Sequence, residues 1–455
     1  MQRKKYIMHL KDIAAAGVRA VYPDRLVESS LSFDGRYIKI GNHKEKRIYD
    51  TKKYKKIYLF AAGKAAASMA KTAERILSGN ITEGLVVTKY GHSEKLGICN
   101  IIEAGHPVPD ENSFKAGKMA LDMARKADEE CLFISLISGG ASSLLCVPYF
   151  DEEGRTISLE DKKKVTDLLL FCGADIEEIN TVRKHLSMIK GGRLAKEIYP
   201  ATGVHLVLSD VVGDRMDMIA SGPTVPDSTN FSDVLAVVKK YNLTEKIPDS
   251  VASLINAGIY GTVKKDTDEN AFYFLRNFTI IIGNNNIALE KAESKAKELG
   301  YNTLILSSSI EGEAREIAKV YLAIAEEIVK YARPVMPPCC ILVGGEPTVR
   351  IEGTGKGGRN QELALAFLAN MKKSTLPDDK AFFLSAATDG NDGPTNAAGA
   401  FASSDILKKA CSKGLNPSAY LANNDSYNFF LHLDALYKTG PTNTNVCDLH
   451  ILIVL

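Results

Sequence analysis

The chain has no C-x-x-C pair among its eight cysteines, no H-E-x-x-H or comparable cluster among its eight histidines, and no surplus of charge of one sign. Each absence closes a class. Without clustered nitrogen and sulfur ligands a zinc enzyme is disfavoured. Cys339 and Cys340 are adjacent, and alternation along a strand would point them apart, so a reduced compartment is expected. Lysine plus arginine number 57 against 55 aspartate plus glutamate, leaving +2. That balance argues against nucleic acid or a membrane surface as partner, since both need a broad basic field, and makes any anion binding local. The start, MQRKKYIMHL, passes into a helical pattern with Asp12 and Asp24 and lacks the apolar run of a secretory signal, so a cytoplasmic location is expected. Residues 131–150 carry no charge, but Gly139, Gly140 and several serines interrupt them and Pro148 closes them. They read as a buried strand, a tight turn and a helix instead of a membrane span.

What is present suits a folded enzyme of two or three units: 455 residues, 45% hydrophobic and 25% charged. Short apolar runs alternate with amphipathic stretches, as in a doubly wound sheet covered on both faces. The runs are 57–61, 85–88, 100–104, 131–137 and 205–209, then 278–283, 303–307, 340–344, 381–387 and 450–455. Helical patterns cover 64–77, 112–127, 285–299 and 314–332. A polar stretch near 226–230 and a hydrophilic tract at 262–270 place a boundary between 227 and 277. We take 1–250 as a Rossmann-like α/β domain and 251–455 as a second α/β domain.

A glycine at the end of a buried strand, opening a helix, lets backbone N–H groups and the helix dipole meet an anion. Run 57–61 leads into Gly63-Lys64, and run 131–137 into Ser138-Gly139-Gly140-Ala141-Ser142-Ser143. Lys64 stands at a helix start, where a cation is locally unfavourable unless an anion joins it; the alternative is a solvated lysine whose stem covers the neighbouring alanines. For 138–143 the alternative is a tightly packed turn with a serine cap. After run 205–209 come Asp210, Asp214 and Asp217, and carboxylates there can hold Mg²⁺ or orient a hydroxyl. Asp214 also suits a turn, and Arg215 a surface pair with Asp217. Asn180-Thr181 can cap a helix that carries Arg183, Ser187 and Lys190 near one face, which suits a carboxylate or phosphate or is simply a face wetted by solvent.

The densest segment is 344–362. Gly353, Gly355 and Gly358 satisfy G-x-G-x-x-G, but 348–352 alternates like a half-exposed strand, which argues against a dinucleotide site. Lys356 and Arg359 among Gly353, Gly355, Gly357 and Gly358 read as a mobile phosphate clamp, the alternative being a flexible surface loop. Asp389 and Asp392, spaced D-x-x-D, either ligate Mg²⁺ or shape the turn.

These segments together resemble the class II glycerate kinases, whose C-terminal part is called the MOFRL domain. The matching stretches, in order, are LFAAGKA at 59–65, EAGHPVPD at 103–110, SGGASS at 138–143, NTVRKHLS at 180–187 and LSDVVGD at 208–214. They continue with ASGPTVPD at 220–227, GGRNQE at 357–362, ATDG at 387–390 and GPT at 440–442, covering nearly the whole chain. Asn396 and Asn443 depart from the family pattern, which shows aspartate and glycine there; asparagine tolerates the left-handed backbone that the second position asks for.

The resemblance implies two unlike α/β domains, a Rossmann-like α/β/α sandwich and a MOFRL-type domain, with the active site in the cleft between them. It also implies ATP, Mg²⁺ or another divalent cation, and D-glycerate phosphorylated at its 2-hydroxyl, with a homodimer allowed. On the matching positions, Lys64 and Arg359 are expected to neutralise the moving phosphoryl group and Asp210 to orient or deprotonate the hydroxyl. Ser138, Gly139, Gly140, Ser142, Arg183, Gly357 and Gly358 are expected to bind substrate or phosphate, and Asp389 and Asp214 the metal. The rival readings are a hydroxypyruvate oxidoreductase, supported only by the glycine fingerprint, and a noncatalytic nucleotide- or glycerate-binding regulator.

Overall fold

The computed structural model describes residues 2–42, 45–263 and 270–455. The chain forms two compact units, one of Pro23–Ser209 with Asp214–Ile282 and one of Met1–Tyr22, Asp210–Gly213 and Gly283–Leu455.

The first unit opens with a small antiparallel sheet of β1 (Leu31–Phe33), β2 (Tyr37–Gly41) and β3 (Lys46–Asp50), which the sequence reading missed. Its main sheet holds β4 (Lys56–Ala62), β5 (Glu83–Lys89), β6 (Asn100–Ala104), β7 (Cys131–Ile137), β8 (Thr202–Leu208) and β9 (Asn277–Gly283), in the order β6-β5-β4-β7-β8-β9. The pairs from β6 to β8 are parallel. Helices Ala66–Leu77 and Glu111–Arg125 follow β4 and β6, the second fixed by a capping box between Asp110 and Ser113. The carboxyl ends of β4 to β7 therefore open together on one edge, where a parallel sheet offers its crevice. Helices Leu159–Phe171, Ile176–His185, Phe231–Lys240 and Asp249–Ile259 share a separate apolar core that includes Val165, Leu169, Val182, Phe231, Val234 and Leu254.

The helix carrying Arg183 differs from the sequence reading. It begins at Ile176 under a capping box of Asp175 and Glu178 and ends at His185, so Asn180-Thr181 lies inside it, and Ser187 and Lys190 lie beyond it. The carboxylate cap, reinforced by the N3 glutamate, starts the helix a turn earlier.

The second unit holds β10 (Asn302–Ile310), β11 (Cys339–Gly345), β12 (Ala381–Ala387), β13 (Gly399–Ser403), β14 (Leu436–Tyr437) and β15 (Asp448–Val454), ordered β10-β11-β15-β12-β13-β14. Only β10 and β11 are parallel; the other neighbours are antiparallel. The terminal strand β15 slots between β11 and β12, and all three are buried along their length. Continuous apolar character thus reports burial on both faces and not strand direction. Helices Ala314–Tyr331 and Arg359–Met371 cover one face. Helix Gln2–Ala20 also belongs here, against helix Asn285–Glu298. Gly17 permits this close approach, since a β-carbon there would stand 2.8 Å from the Ala288 carbonyl oxygen. The division therefore differs from a cut at residue 250: the amino-terminal helix joins the later unit, and β9 extends the first sheet to Ile282. Among the described residues no helix is long and apolar enough to cross a membrane, and every cysteine is free.

Candidate active site

At the carboxyl edge of the first unit's sheet, β4 ends in Gly63 with φ of 130°, a conformation that favours glycine. A β-carbon there would fall 2.1 Å from the Ser138 hydroxyl oxygen. Two turns lock together at this point. Lys64 N–H donates to the Gly139 carbonyl at 2.9 Å, and Ala65 N–H donates to Ser138 Oγ at 3.1 Å. Ser138 therefore holds the turn that carries Lys64. The Ser142 hydroxyl is committed to Ser221 at 2.9 Å and its carbonyl to the Lys190 ammonium at 2.5 Å. The amides of Gly139 and Gly140 donate to no group among the described residues, so both remain available to an anion.

Gly140, with φ of 85°, lies under the His106 ring and the Lys64 stem; a β-carbon would meet His106 Nε2 at 3.0 Å and Lys64 Cγ at 3.1 Å. Burial first, then the charges of Lys64 and Lys89, hold His106 down to about 4. His92 is lowered by burial, Lys89 and Lys64. The mouth is thus two lysines beside two neutral imidazoles. The sequence reading quoted His106 inside a motif without giving it a role and passed over Lys89 and His92. Their signal was position, since each ends or follows a strand whose end lies on the same edge.

In the second unit, Arg359 opens the helix Arg359–Met371. Its Nε and Nη2 donate to the two oxygens of Asp448 at 2.6 and 3.1 Å, and its Nη1 pairs with Glu346 at 2.7 Å. Burial opposes the guanidinium charge, but the two carboxylates outweigh it and raise its pKa above the ordinary value. Burial, with Asp448 and Asp210 adding like charge, pushes the Glu346 carboxyl upward. The Cys447 thiol donates to the Asp210 carbonyl at 3.3 Å. Arg359 and Asp210, chosen separately from sequence, thus share one cluster. Glu346 and Asp448 complete it and were not singled out. Asp448 showed itself only as a lone acid heading an apolar run.

The glycine loop is not a mobile clamp. Glu352 and Gly353 amides donate to Asn424 Oδ1 at 2.8 and 2.9 Å, and Gly355 N–H donates to the Asn423 carbonyl at 2.9 Å. A β-carbon at Gly353 or Gly355 would collide with residues 423 to 425 at 2.3 to 2.6 Å. These glycines serve close packing, and 348–352 is irregular chain instead of a strand. The Lys356 ammonium sits over the Tyr427 ring, 4.8 Å from its centre. Gly357 and Gly358 are packed as closely, a β-carbon meeting Ser426 Oγ at 2.1 Å or Asp392 at 2.4 Å, but their amides donate to nothing among the described residues.

Asp392 caps the Arg359 helix, accepting from the Asn360 and Gln361 amides at 3.0 and 2.9 Å and from the Gln361 side chain at 2.9 Å. Asp389 accepts from Asn391 N–H at 2.9 Å, shaping its turn. Asn443 adopts φ of 60°, as its place in the GPT turn required. Asp214 also has positive φ, 56°, and Arg215 pairs with Asp217 at 3.3 Å. No group of three or more His, Cys, Asp or Glu that could hold a metal ion occurs among the described residues. Mg²⁺ bound through phosphate oxygens keeps its waters and needs only one or two carboxylates. Arg183 is half-buried in the first unit, its pKa lowered by burial.

Each unit thus carries groups suited to a phosphate, free amides and lysines at strand ends in one and an arginine oriented by aspartate in the other. Residues 9–256 match a domain of unknown function, DUF4147, and residues 339–448 match the MOFRL family. The glycerate 2-kinase of Pyrococcus horikoshii is 44% identical over 400 residues, 88% of this chain and 87% of that protein. The D-glycerate 2-kinase of Thermotoga maritima is 42% identical over 446 residues, 98% and 97% of the two chains. The crystal structure of glycerate kinase from Thermotoga maritima matches with a TM-score of 0.85 at 40% identity, covering 99% of this chain and all of that one. The chain belongs to the glycerate kinase family.

Proposed function

We propose that this protein transfers the γ-phosphoryl group of ATP to the 2-hydroxyl of D-glycerate. The observation that carries the reading is end-to-end similarity to a protein named D-glycerate 2-kinase, 42% identical over 98% of the chain, joined to clusters that suit phosphoryl transfer. Such transfer asks little covalent work of a protein and much alignment and charge stabilisation.

Lys64 and Arg359 neutralise charge on the moving group, and the free amides of Gly139, Gly140, Gly357 and Gly358 cradle phosphate oxygens. Asp448 fixes the plane of the Arg359 guanidinium, leaving Nη1 as the edge that exchanges Glu346 for a phosphate oxygen. Asp210 takes the proton from the acceptor hydroxyl, and Arg183 binds substrate. Asp389 and Asp214 would hold a divalent cation accompanying the triphosphate, and that cation would neutralise charge on the phosphate oxygens. Nothing favours a reductase, for two glycines of the dinucleotide fingerprint are filled by residues 423 to 425.

The test is release of ADP by the purified protein with Mg²⁺ and ATP, with and without D-glycerate, beside NADH oxidation with hydroxypyruvate. Glycerate-dependent ADP release without NADH oxidation is expected. The opposite pattern overturns the proposal.

A further inference from the structure

The interior of the first unit holds a cluster of cations that the reading above does not explain. Lys162 lies on helix Leu159–Phe171, on the buried stripe with Leu159, Val165 and Leu169. Its side-chain nitrogen is buried and bonds to nothing among the described residues. The residue is 5% exposed, and it sits in the second turn of a helix capped by Ser158. Arg183, Lys190 and Arg193 approach it from the following segments: Arg183 and Arg193 oppose its charge, and Lys162 and Arg183 oppose that of Lys190. Lys190 is satisfied by the carbonyls of Ser142 and Leu145 at 2.5 and 3.2 Å, and Arg193 by those of Lys184 and Lys190 at 2.9 and 3.2 Å. Among the described residues the Cys146 thiol is the only acidic group acting on Lys162, Arg183 or Lys190, and no carboxylate does.

A buried amine without an acceptor is unfavourable, so such a side chain is retained at a cost to the empty protein. An arriving anion removes that cost. Lys162 is buried, whereas Arg183 keeps partial exposure to an arriving anion. Lys190 ties the cluster to Ser142, in the turn that presents the free Gly139 and Gly140 amides.

We propose that Lys162 and Arg183 form the receptor for the carboxylate of the acceptor acid. The inference rests on the glycerate kinase reading and deepens it. A carboxylate matches the planar fork of one guanidinium with an ammonium beside it. It is also the part of glycerate that does not react, so it suits an enclosed, static site, whereas the phosphoryl group must travel.

The test compares the full-length protein with Lys162→Met, which keeps the volume and removes the charge. The expected result is a rise of about tenfold or more in KM for D-glycerate, with KM for ATP unchanged. Thermal melts give a readout independent of turnover. D-glycerate without ATP raises the melting temperature of the wild type and not of the variant, while any stabilisation by inorganic phosphate survives in both. Unliganded Lys162→Met melts no lower than the wild type, because it loses an unpaired buried amine. An unchanged KM for glycerate, or a variant whose only change is a lower melting temperature, overturns the proposal. Selective loss of the phosphate effect reassigns the site to phosphate and also overturns it. If the wild type binds D-glycerate through Lys162 but makes no ADP, the kinase reading fails and the carboxylate receptor stands.

Discussion

Replacing Arg359 by alanine should damage stability and catalysis for different reasons, and the two can be separated. Asp448 is fully buried and receives two hydrogen bonds from the guanidinium, at 2.6 and 3.1 Å. Removing one partner of a buried ion pair leaves the other uncompensated, at a cost of about 3–5 kcal/mol. In a unit of this size each kcal/mol moves the melting temperature by about 2–4 °C, so Arg359→Ala should melt roughly 6–20 °C lower. Loss of one cation that stabilises the transition state should lower kcat by about 10²–10³-fold. Adding Asp448→Asn removes the stranded charge, so the double variant should regain much of the lost melting temperature while kcat stays low. Scanning calorimetry and ADP-release kinetics on both variants measure the two effects. A double variant that melts as low as Arg359→Ala, or an Arg359→Ala enzyme with kcat within threefold of the wild type, would refute the reasoning.

Further expectations follow from other sites. Lys64→Ala should keep its fold, since the turn is held by backbone and Ser138 bonds, and should lose about 10²-fold in kcat; an unchanged kcat removes Lys64 from the reaction. Asp392→Asn places an amide donor among the helix amides that the carboxylate now accepts, and should cost about 1–3 kcal/mol in denaturant melts; a midpoint equal to the wild type contradicts the capping role. His205, buried between Ser135 at 3.0 Å and Asn277 at 2.8 Å, is held down at about 4, first by burial. The unfolded chain protonates it near 6.5, so its contribution is complete above that pH and is lost as pH falls through 4. The amount is on the order of 3 kcal/mol. Urea melts at pH 7 and 4.5 should show this loss, reduced in His205→Gln; equal loss in both proteins would assign it elsewhere.

The sequence exposed the parts of the fold whose physical cause is local. Strands β7, β11 and β12 are buried throughout, and β4 beyond Lys56, and so appear as uncharged, mostly apolar runs. Strand direction left no such trace, because β15 is as apolar as its neighbours yet runs against both. The Gly399–Ser403 strand, made mostly of small residues, carries little signal of either period. Helix Gln2–Ala20 showed its helical pattern, but its place beside Asn285–Glu298 is a long-range packing choice made possible by Gly17.

The candidate site divides in the same way. Glycine-bearing turns after strands pointed to Lys64, Gly139, Gly140 and Asp210. Glu346 and Asp448 stayed hidden because one acid has no pattern until its arginine is placed. Lys162 was not singled out: it stands beside Lys163 and Lys164, although its spacing from Leu159 and Val165 puts it on the buried stripe. The glycine fingerprint misled for a definable reason, since packing against residues 423 to 425 demands the same absence of a side chain as phosphate does.

Phosphorus-31 NMR of the product formed from ATP, Mg²⁺ and D-glycerate tests the central claim most directly. A single new resonance coincident with authentic 2-phospho-D-glycerate is predicted; 3-phosphoglycerate, or inorganic phosphate with no phosphorylated acid, would contradict it.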